Sequence, residues 1–392
     1  MSLKDFDQHV ANVISILRRE APKEAIIIHH DDADGLCSAA ITQKALERDE
    51  VRTKTFCLEK VYTEVIEDVH SKDGQTIFYV DIGSSHADLI SKYNEGRNLT
   101  IILDHHDPKI SKDPKVLDLN LENFGFRGET DFSGATCCYL FAKALNKSNY
   151  DLGYLALVGS CEIPEGFKSI NEIVLEESLK AGIVQKKGKN FEITKLNINV
   201  DALFSKLQIL GAVGYYENGP DLGIKACLEG ISPEIEERIN ALEERRREVN
   251  RKLLGILYRE RLRETEHIQW FDAGNLYAGM GTKVIGQFCS FLSYQARLIK
   301  PNKYLLGFVN VPPEIPKWGR LKEKFVKASV RVPKPMQQLI DSGKLPSAVN
   351  LLEKASESFG MADGHQYAAN VVLPADRKME LIENAEKVIE KT

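Results

Sequence analysis

No run of apolar residues in this chain approaches the roughly 20 needed to cross a bilayer. Met1-Ser2-Leu3-Lys4-Asp5 has no signal-peptide pattern, so a soluble, cytoplasmic protein with no membrane contact is expected. Cysteine is sparse and unpaired: Cys37, Cys57, Cys137, Cys138, Cys161, Cys227 and Cys289 form no Cys-x-x-Cys, and most lie in apolar stretches. This excludes a disulfide framework and a thiolate zinc site, leaving small core residues in a reducing compartment. An excess of positive charge is also missing, the formal net charge being -5. Nucleic-acid binders are generally basic, so any phosphate contact here has to come from a local cluster rather than the whole surface. There is no internal repeat and no low-complexity tract, and the 392 residues suffice for two or three globular domains.

What the chain does have is two acidic-histidine clusters, each directly after a strand-like apolar run. Ala25-Ile26-Ile27-Ile28 leads into His29-His30-Asp31-Asp32-Ala33-Asp34-Gly35, and Leu99-Thr100-Ile101-Ile102-Leu103 leads into Asp104-His105-His106. A third run, Thr76-Ile77-Phe78-Tyr79-Val80, ends in Asp81-Ile82-Gly83-Ser84-Ser85. Short β-branched runs that end in turn residues and precede helical patterns read as buried parallel strands. Ligands of such sheets gather beyond the carboxyl ends of the strands. Three strand ends therefore bring Asp32, Asp34, Asp81, Asp104, His105 and His30 to one crevice.

Carboxylates crowded this closely repel one another and resist burial unless cations compensate them. Hard oxygens with one or two imidazoles suit Mn2+ or Mg2+, and two such ions would clamp a phosphoryl group and activate water for in-line attack. Taken singly, each Asp reads as a helix cap or turn residue and each His pair as polar surface. It is the repetition of one strand-end context that argues for a metal site.

At these residues the chain resembles the DHH phosphoesterase superfamily: Asp32-Ala33-Asp34-Gly35 is similar to its first motif, Asp81 to its second and Asp104-His105-His106 to its third. Asp363-Gly364-His365-Gln366-Tyr367-Ala368-Ala369-Asn370 resembles the signature of the associated DHHA1 domain, with Asp363 and Asn370 where that signature has Gly. The length and plan are most similar to archaeal RecJ-type single-strand nucleases. The resemblance implies an α/β fold in which a parallel-sheet DHH domain (1–185) is joined, through a mixed segment and a long helix (186–267), to a smaller α/β DHHA1-like substrate-binding domain (268–392). It implies a pair of Mn2+ or Mg2+ ions on His30, Asp32, Asp34, Asp81 and His105, with Asp104, His105 and His106 as the catalytic triplet. A fourth motif normally supplies an Asp; here the stretch reads Ala156-Leu157-Val158-Gly159-Ser160-Cys161-Glu162-Ile163-Pro164-Glu165, which makes Glu162 the candidate replacement.

The implied activity is a metal-dependent exonuclease on single-stranded DNA or RNA in replication or repair. Two alternatives share the sequence: a phosphodiesterase for oligonucleotides or cyclic dinucleotides, and a non-catalytic scaffold bound to a helicase or the GINS complex.

Two regions are locally basic. From Glu234 to Glu266 a spacing of three, four and seven at Ile235, Ile239, Leu242, Val249, Leu253 and Ile256 predicts one long helix, whose Arg and Glu residues read first as a solvated, salt-bridged connector. Lys317–Lys334 places Trp318 among Arg320, Lys322, Lys324, Lys327 and Arg331, as a single-strand groove requires. Ser329-Val330-Arg331 also resembles the DHHA1 strand that carries a phosphate-binding Arg, so Arg331, Ser329, Trp318, Gly364 and His365 are the candidate substrate-binding residues. Leu276-Tyr277-Ala278, Tyr304–Val309 and Val326–Val330 are expected strands, Leu36–Arg48 and Met379–Glu390 expected helices. Asp131-Phe132-Ser133 is expected to open another helix, with Ser133 as its cap.

Overall fold

The computed structural model describes residues 2–163 and 166–391, so Pro164 and Glu165 of the fourth-motif stretch lie outside the described residues. The chain divides into two compact units, Met1–Ile239 with Pro316–Trp318, and Asn240–Ile315 with Gly319–Thr392.

The first unit opens with α1 (Leu3–Glu20), capped by reciprocal bonds between Ser2 and Asp5 and packed through Phe6, Val10, Val13, Ile14 and Leu17. Next come β1 (Glu24–His30), α2 (Ala33–Arg48), β2 (Arg52–Leu58), α3 (Thr63–Val69), β3 (Thr76–Val80), α4 (Ala87–Asn94), β4 (Leu99–Leu103) and β5 (Val116–Asp118). The five strands form one sheet in the order β2-β1-β3-β4-β5, and every pairing is parallel. β3 and β4 are buried at every position, which explains why they read as unbroken apolar runs rather than alternating ones. From β1 the chain reaches β2 on one side and β3 on the other, so the order reverses between β1 and β3. A crevice opens at that point, outside the carboxyl ends of the strands.

α2 starts on the first cluster and is buried along most of its length, with Gly35, Ala39 and Ala40 permitting close neighbours. A Cβ on Gly35 would stand 2.4 Å from the His30 carbonyl oxygen, so the turn from β1 into α2 requires glycine. Around α2 pack α5 (Gly134–Leu145) and α6 (Gly153–Gly159); α7 (Ile170–Lys180) follows, then a three-stranded antiparallel sheet of β6 (Val184–Lys187), β7 (Asn190–Ile193) and β8 (Ile198–Asn199). α8 (Val200–Gln208) and α9 (Gly219–Glu229) complete the unit, and α10 (Pro233–Glu260) carries the chain into the second.

α10 ends six residues before the expected Glu234–Glu266 helix does. Arg261 adopts a left-handed backbone (φ 66°), and β9 (Arg263–Glu264) pairs with β10 (Ile268–Asp272) instead of continuing the turns. Along α10, Arg247 pairs with Glu243, Arg251 with Glu244 and Arg259 with Glu260, the salt-bridged surface that the alternating charges predict.

The second unit continues with α11 (Lys283–Leu292), β11 (Tyr304–Asn310), the hairpin β12 (Glu314–Ile315) and β13 (Gly319–Arg320), β14 (Phe325–Arg331), α12 (Lys334–Asp341), α13 (Ala348–Ser356), β15 (Met361–Gly364), β16 (Ala368–Pro374) and α14 (Lys378–Glu390). Its main sheet runs β15-β16-β14-β11-β10-β9; only β10 and β11 pair in parallel. Leu306, Phe308, Val326, Ala328, Val330 and Val371 join Leu351, Leu352, Leu381 and Ile382 in one core. Leu276-Tyr277-Ala278, expected as a strand, is a turn: the strand lies earlier, at Ile268–Asp272, and closes when Asp272 accepts a bond from Gly274 N at 2.8 Å.

Candidate metal centre

The carboxyl ends of β1, β3 and β4 place their clusters together, as the sequence pattern requires. Asp32 caps α2, with one oxygen 2.9 Å from Gly35 N. Asp34, in the first turn of that helix and fully buried, accepts from Gly134 N at 2.8 Å and Ala135 N at 2.9 Å. The positive end of α5 is thus spent on an internal carboxylate, which it stabilises through two charge-assisted bonds. Ser133 is the cap, its hydroxyl accepting from Thr136 N at 3.3 Å.

Asp81 follows β3 in a left-handed conformation, φ 58°, uncommon for a residue with a side chain. Its side chain is 1% exposed and neither oxygen has a hydrogen-bond partner. Burial, then the charges of Asp34, Asp32, Glu162 and Asp104, push its carboxyl well above the usual range. An ionised carboxylate in this position is stable only if a cation replaces the lost water.

Asp104 has the opposite environment. One oxygen accepts from Ser84 N at 2.9 Å, the other from His105 N at 2.8 Å and His106 Nδ1 at 2.7 Å. Burial alone would raise its pKa, but the adjacent His106 charge and these bonds outweigh burial and hold it ionised. Asp104 therefore serves as a support that fixes the two histidines.

His105 Nδ1 donates to the Gly128 carbonyl at 3.0 Å, so in the neutral ring the lone pair is on Nε2. That nitrogen faces Glu162 at 3.4 Å, Asp81 at 3.5 Å and Asp34 at 3.9 Å. On the other side of Asp81, His30 Nδ1 is 2.8 Å from an Asp32 oxygen and 3.8 Å from Asp81, without hydrogen-bond geometry to either. Buried nitrogen and carboxylate oxygen atoms that converge without hydrogen bonds between them suit a cation, and the bond from His105 to Gly128 is the type that orients a ligating imidazole.

Three overlapping groups result: Asp34, Asp81, His105 and Glu162; His30, Asp32 and Asp81; Asp81, His105 and His106, each with ligand atoms within 4.8 Å of one another. Asp81 belongs to all three. Glu162, one residue before the end of the described stretch, enters the first group although the motif has an Asp there. The centre fits a divalent cation.

Backbone groups that sequence reasoning missed complete the cradle. The amides of Gly134 and Ala135, the amide of Ser84 and the Gly128 carbonyl carry no side-chain signal, although the Ser133 cap marks where the α5 amides are. A Cβ on Gly134 would stand 2.4 Å from Asp81 Oδ1, and one on Gly159 would stand 2.1 Å from Asp34 Oδ1.

The substrate-binding candidates are not all in one place. In the second unit Ser329 and Arg331 alternate on β14, beside β16; His365 N donates to Ala368 O at 2.8 Å, and Ala368 pairs with Arg331. Gly364 has φ 137°, reserved for glycine. Ser329 is bonded to Asn370, one of the two residues that depart from the signature. Trp318 belongs to the first unit, where its indole nitrogen donates to Asp68 at 2.9 Å.

A parallel sheet whose strand ends converge on carboxylates and imidazoles defines an α/β protein with a candidate metal centre at the crevice of its sheet. Residues 24–159, within the first unit, match the DHH family, N-terminal domain. Among solved structures, it is similar to an exonuclease RecJ bound to manganese, with 17% identity and a TM-score of 0.64 over 96% of this chain and 93% of that one. It is also similar to RecJ in complex with Mn2+ from Thermus thermophilus, at 17% identity and TM-score 0.67, over 98% of this chain but 55% of that one. CDC45 from Entamoeba histolytica shares the fold at 10% identity and TM-score 0.53, over 97% and 99% of the chains. No curated protein matches the sequence. Among the described residues no helix is long and apolar enough to cross a membrane.

Proposed function

We propose that the chain is a divalent-metal-dependent exonuclease that hydrolyses phosphodiester bonds of single-stranded DNA or RNA, acting in replication or repair. The observation that carries this reading is Asp81: a buried carboxylate, held in a left-handed backbone and without a hydrogen bond, shared among all three ligand groups. Asp34, His105 and Glu162 would hold one manganese or magnesium ion and His30 and Asp32 another, with Asp81 offered to both groups. Bound there, such ions would supply Lewis-acid chemistry to a phosphodiester and to the attacking water. Asp104 orients the histidine pair. His106, tied to Asp104 through Nδ1 and partly exposed, turns its other nitrogen toward substrate, where it holds a phosphate oxygen or delivers a proton to the leaving oxygen. Arg331, Ser329, Gly364 and His365 form the phosphate-holding group of the second unit.

The manganese-bound exonuclease fold supports the nuclease reading. A scaffold for a helicase or the GINS complex would keep this uncompensated carboxylate for no purpose, so the catalytic reading is preferred. To test it, the protein is incubated with Mn2+ and a long single strand labelled at either end, beside an Asp81→Asn control. Release of label by the wild type alone supports the proposal and gives the polarity. An intact strand under every metal tried, with mononucleotide-sized substrates also untouched, refutes it.

A further inference from the structure

Immediately after the catalytic triplet the chain makes a loop, Asp107-Pro108-Lys109-Ile110-Ser111-Lys112-Asp113-Pro114-Lys115, before entering β5. Ile110 at its tip is 84% exposed, the most exposed large apolar side chain among the described residues. The loop is nevertheless tightly fixed. Lys109 N donates to Ser84 O at 2.8 Å and Lys112 N to Ser91 Oγ at 3.0 Å. Asp113, 8% exposed, accepts from Asn94 Nδ2 at 2.8 Å, Gly96 N at 2.6 Å and Lys115 N at 2.8 Å. Rigid backbone beneath an exposed isoleucine means that the side chain is presented to solvent rather than left there by a wandering loop.

Its neighbours narrow the occupant. Lys109 and Lys112 are exposed on either side and neither is engaged in an ion pair among the described residues. Protein interfaces bury large apolar patches and are depleted in lysine, whereas one apolar tip between free ammonium groups matches a chain of bases joined by phosphates. Ile110 is the fourth residue after His106, at most about 14 Å of extended chain away.

We propose that this loop guides a single-stranded nucleic acid at the metal centre: Ile110 packs against a base, and Lys109 and Lys112 hold the phosphates on either side. The inference rests on the phosphodiester reading above and assigns that substrate a contact in the first unit.

The test is fluorescence anisotropy of a labelled thymidine oligonucleotide, titrated without metal at a series of salt concentrations. The variants are Ile110→Ser and Lys109→Ala/Lys112→Ala; all three side chains are on the surface, so the fold is unaffected. Ile110→Ser should weaken binding about tenfold without altering the salt slope, because it removes apolar contact alone. The double lysine variant should reduce the slope of log K against log salt by about 1.4, roughly 0.7 for each phosphate contact on a single strand. Wild-type affinity and slope in both variants, with the parent protein still binding and cutting the strand, would overturn the loop assignment alone and give the tip to a protein partner. A wild-type protein that neither binds nor cuts any strand would overturn the nuclease reading as well.

Discussion

His105 Nε2 faces Asp81 Oδ1 across 3.5 Å, while Nδ1, on the far side of the ring, donates to the Gly128 carbonyl. A charged carboxylate in this buried pocket costs stability unless a cation compensates it. The site is thus arranged against the stability of the metal-free protein, and this separates ligands from structural residues experimentally. Asp81→Asn keeps the shape and tolerates the left-handed backbone. It should raise the metal-free unfolding free energy by about 1–3 kcal/mol, because an uncompensated carboxylate is removed. In Mn2+ the same variant should lose both its activity and its metal-induced rise in Tm. Thermal unfolding with and without Mn2+ checks both; a metal-free variant less stable than wild type would mean that Asp81 is structural.

A second prediction concerns a residue with no chemistry of its own. Gly159→Ala places a Cβ 2.1 Å from Asp34 Oδ1 and 2.7 Å from the Ala135 side chain. Asp34 must move, and displacement of a ligand by a fraction of an ångström should lower kcat about 100-fold. The overpacking should cost about 1–3 kcal/mol of stability. Gly255→Ala on α10 is the control: nothing lies within 4 Å of the added Cβ, so this variant should gain up to about 1 kcal/mol from helix propensity and leave turnover unaltered. Equal loss of activity in the two variants would remove Asp34 from the site.

The pH dependence of the metal-free protein follows from Asp81. Its folded-state pKa lies above that of the unfolded chain, because burial first and neighbouring carboxylates second disfavour the charge. The folded state therefore retains the proton after the unfolded state has released it. The stability this contributes is fully present below the unfolded carboxylate pKa of about 3.9 and is lost as pH rises toward the folded value. Denaturant unfolding in a chelator should show the wild type losing stability relative to Asp81→Asn as pH rises above the carboxylate range, and saturating Mn2+ should offset that loss in the wild type, since ligand binding to the folded state adds about 2.7 kcal/mol at a hundred times Kd. A difference between wild type and variant that does not change with pH would contradict the assignment.

The three strand-end clusters and their meeting point were legible because a parallel sheet buries both faces of its strands. The runs before Asp32, Asp81 and Asp104 stand out as continuous apolar stretches, and chain order then places the acids at the same end. β2 was not legible: in Arg52-Thr53-Lys54-Thr55-Phe56-Cys57-Leu58 an edge strand alternates and keeps its charges in solvent. Nor were the α5 amides that hold Asp34, since backbone donors have no letter in the sequence. The turn at Leu276–Ala278 misled because an apolar triplet signals burial, and Tyr277 is indeed buried, without specifying strand geometry.

Arg331 is the residue for which the structure changes the expected phenotype. Its guanidinium is committed internally, Nε to Ser290 Oγ at 2.8 Å, Nη1 to Val330 O at 2.8 Å and Nη2 to Gly286 O at 3.1 Å, and burial lowers its pKa. A Cβ on Gly286 would stand 2.9 Å from Nη2, so α11 approaches β14 closely on this side. Arg331→Ala should leave the Gly286 carbonyl and the Ser290 hydroxyl without their partner and destabilise the protein by about 1–3 kcal/mol. Arg331→Lys should recover only part of this, because one ammonium cannot reproduce the planar fork. If Arg331 also holds a phosphate, single-strand binding by the Lys variant should weaken while its salt slope stays near wild type, the charge being kept. Unfolding curves and salt titrations on the two variants separate these effects: an Ala variant as stable as wild type would release Arg331 from its structural role and leave phosphate binding as its only role.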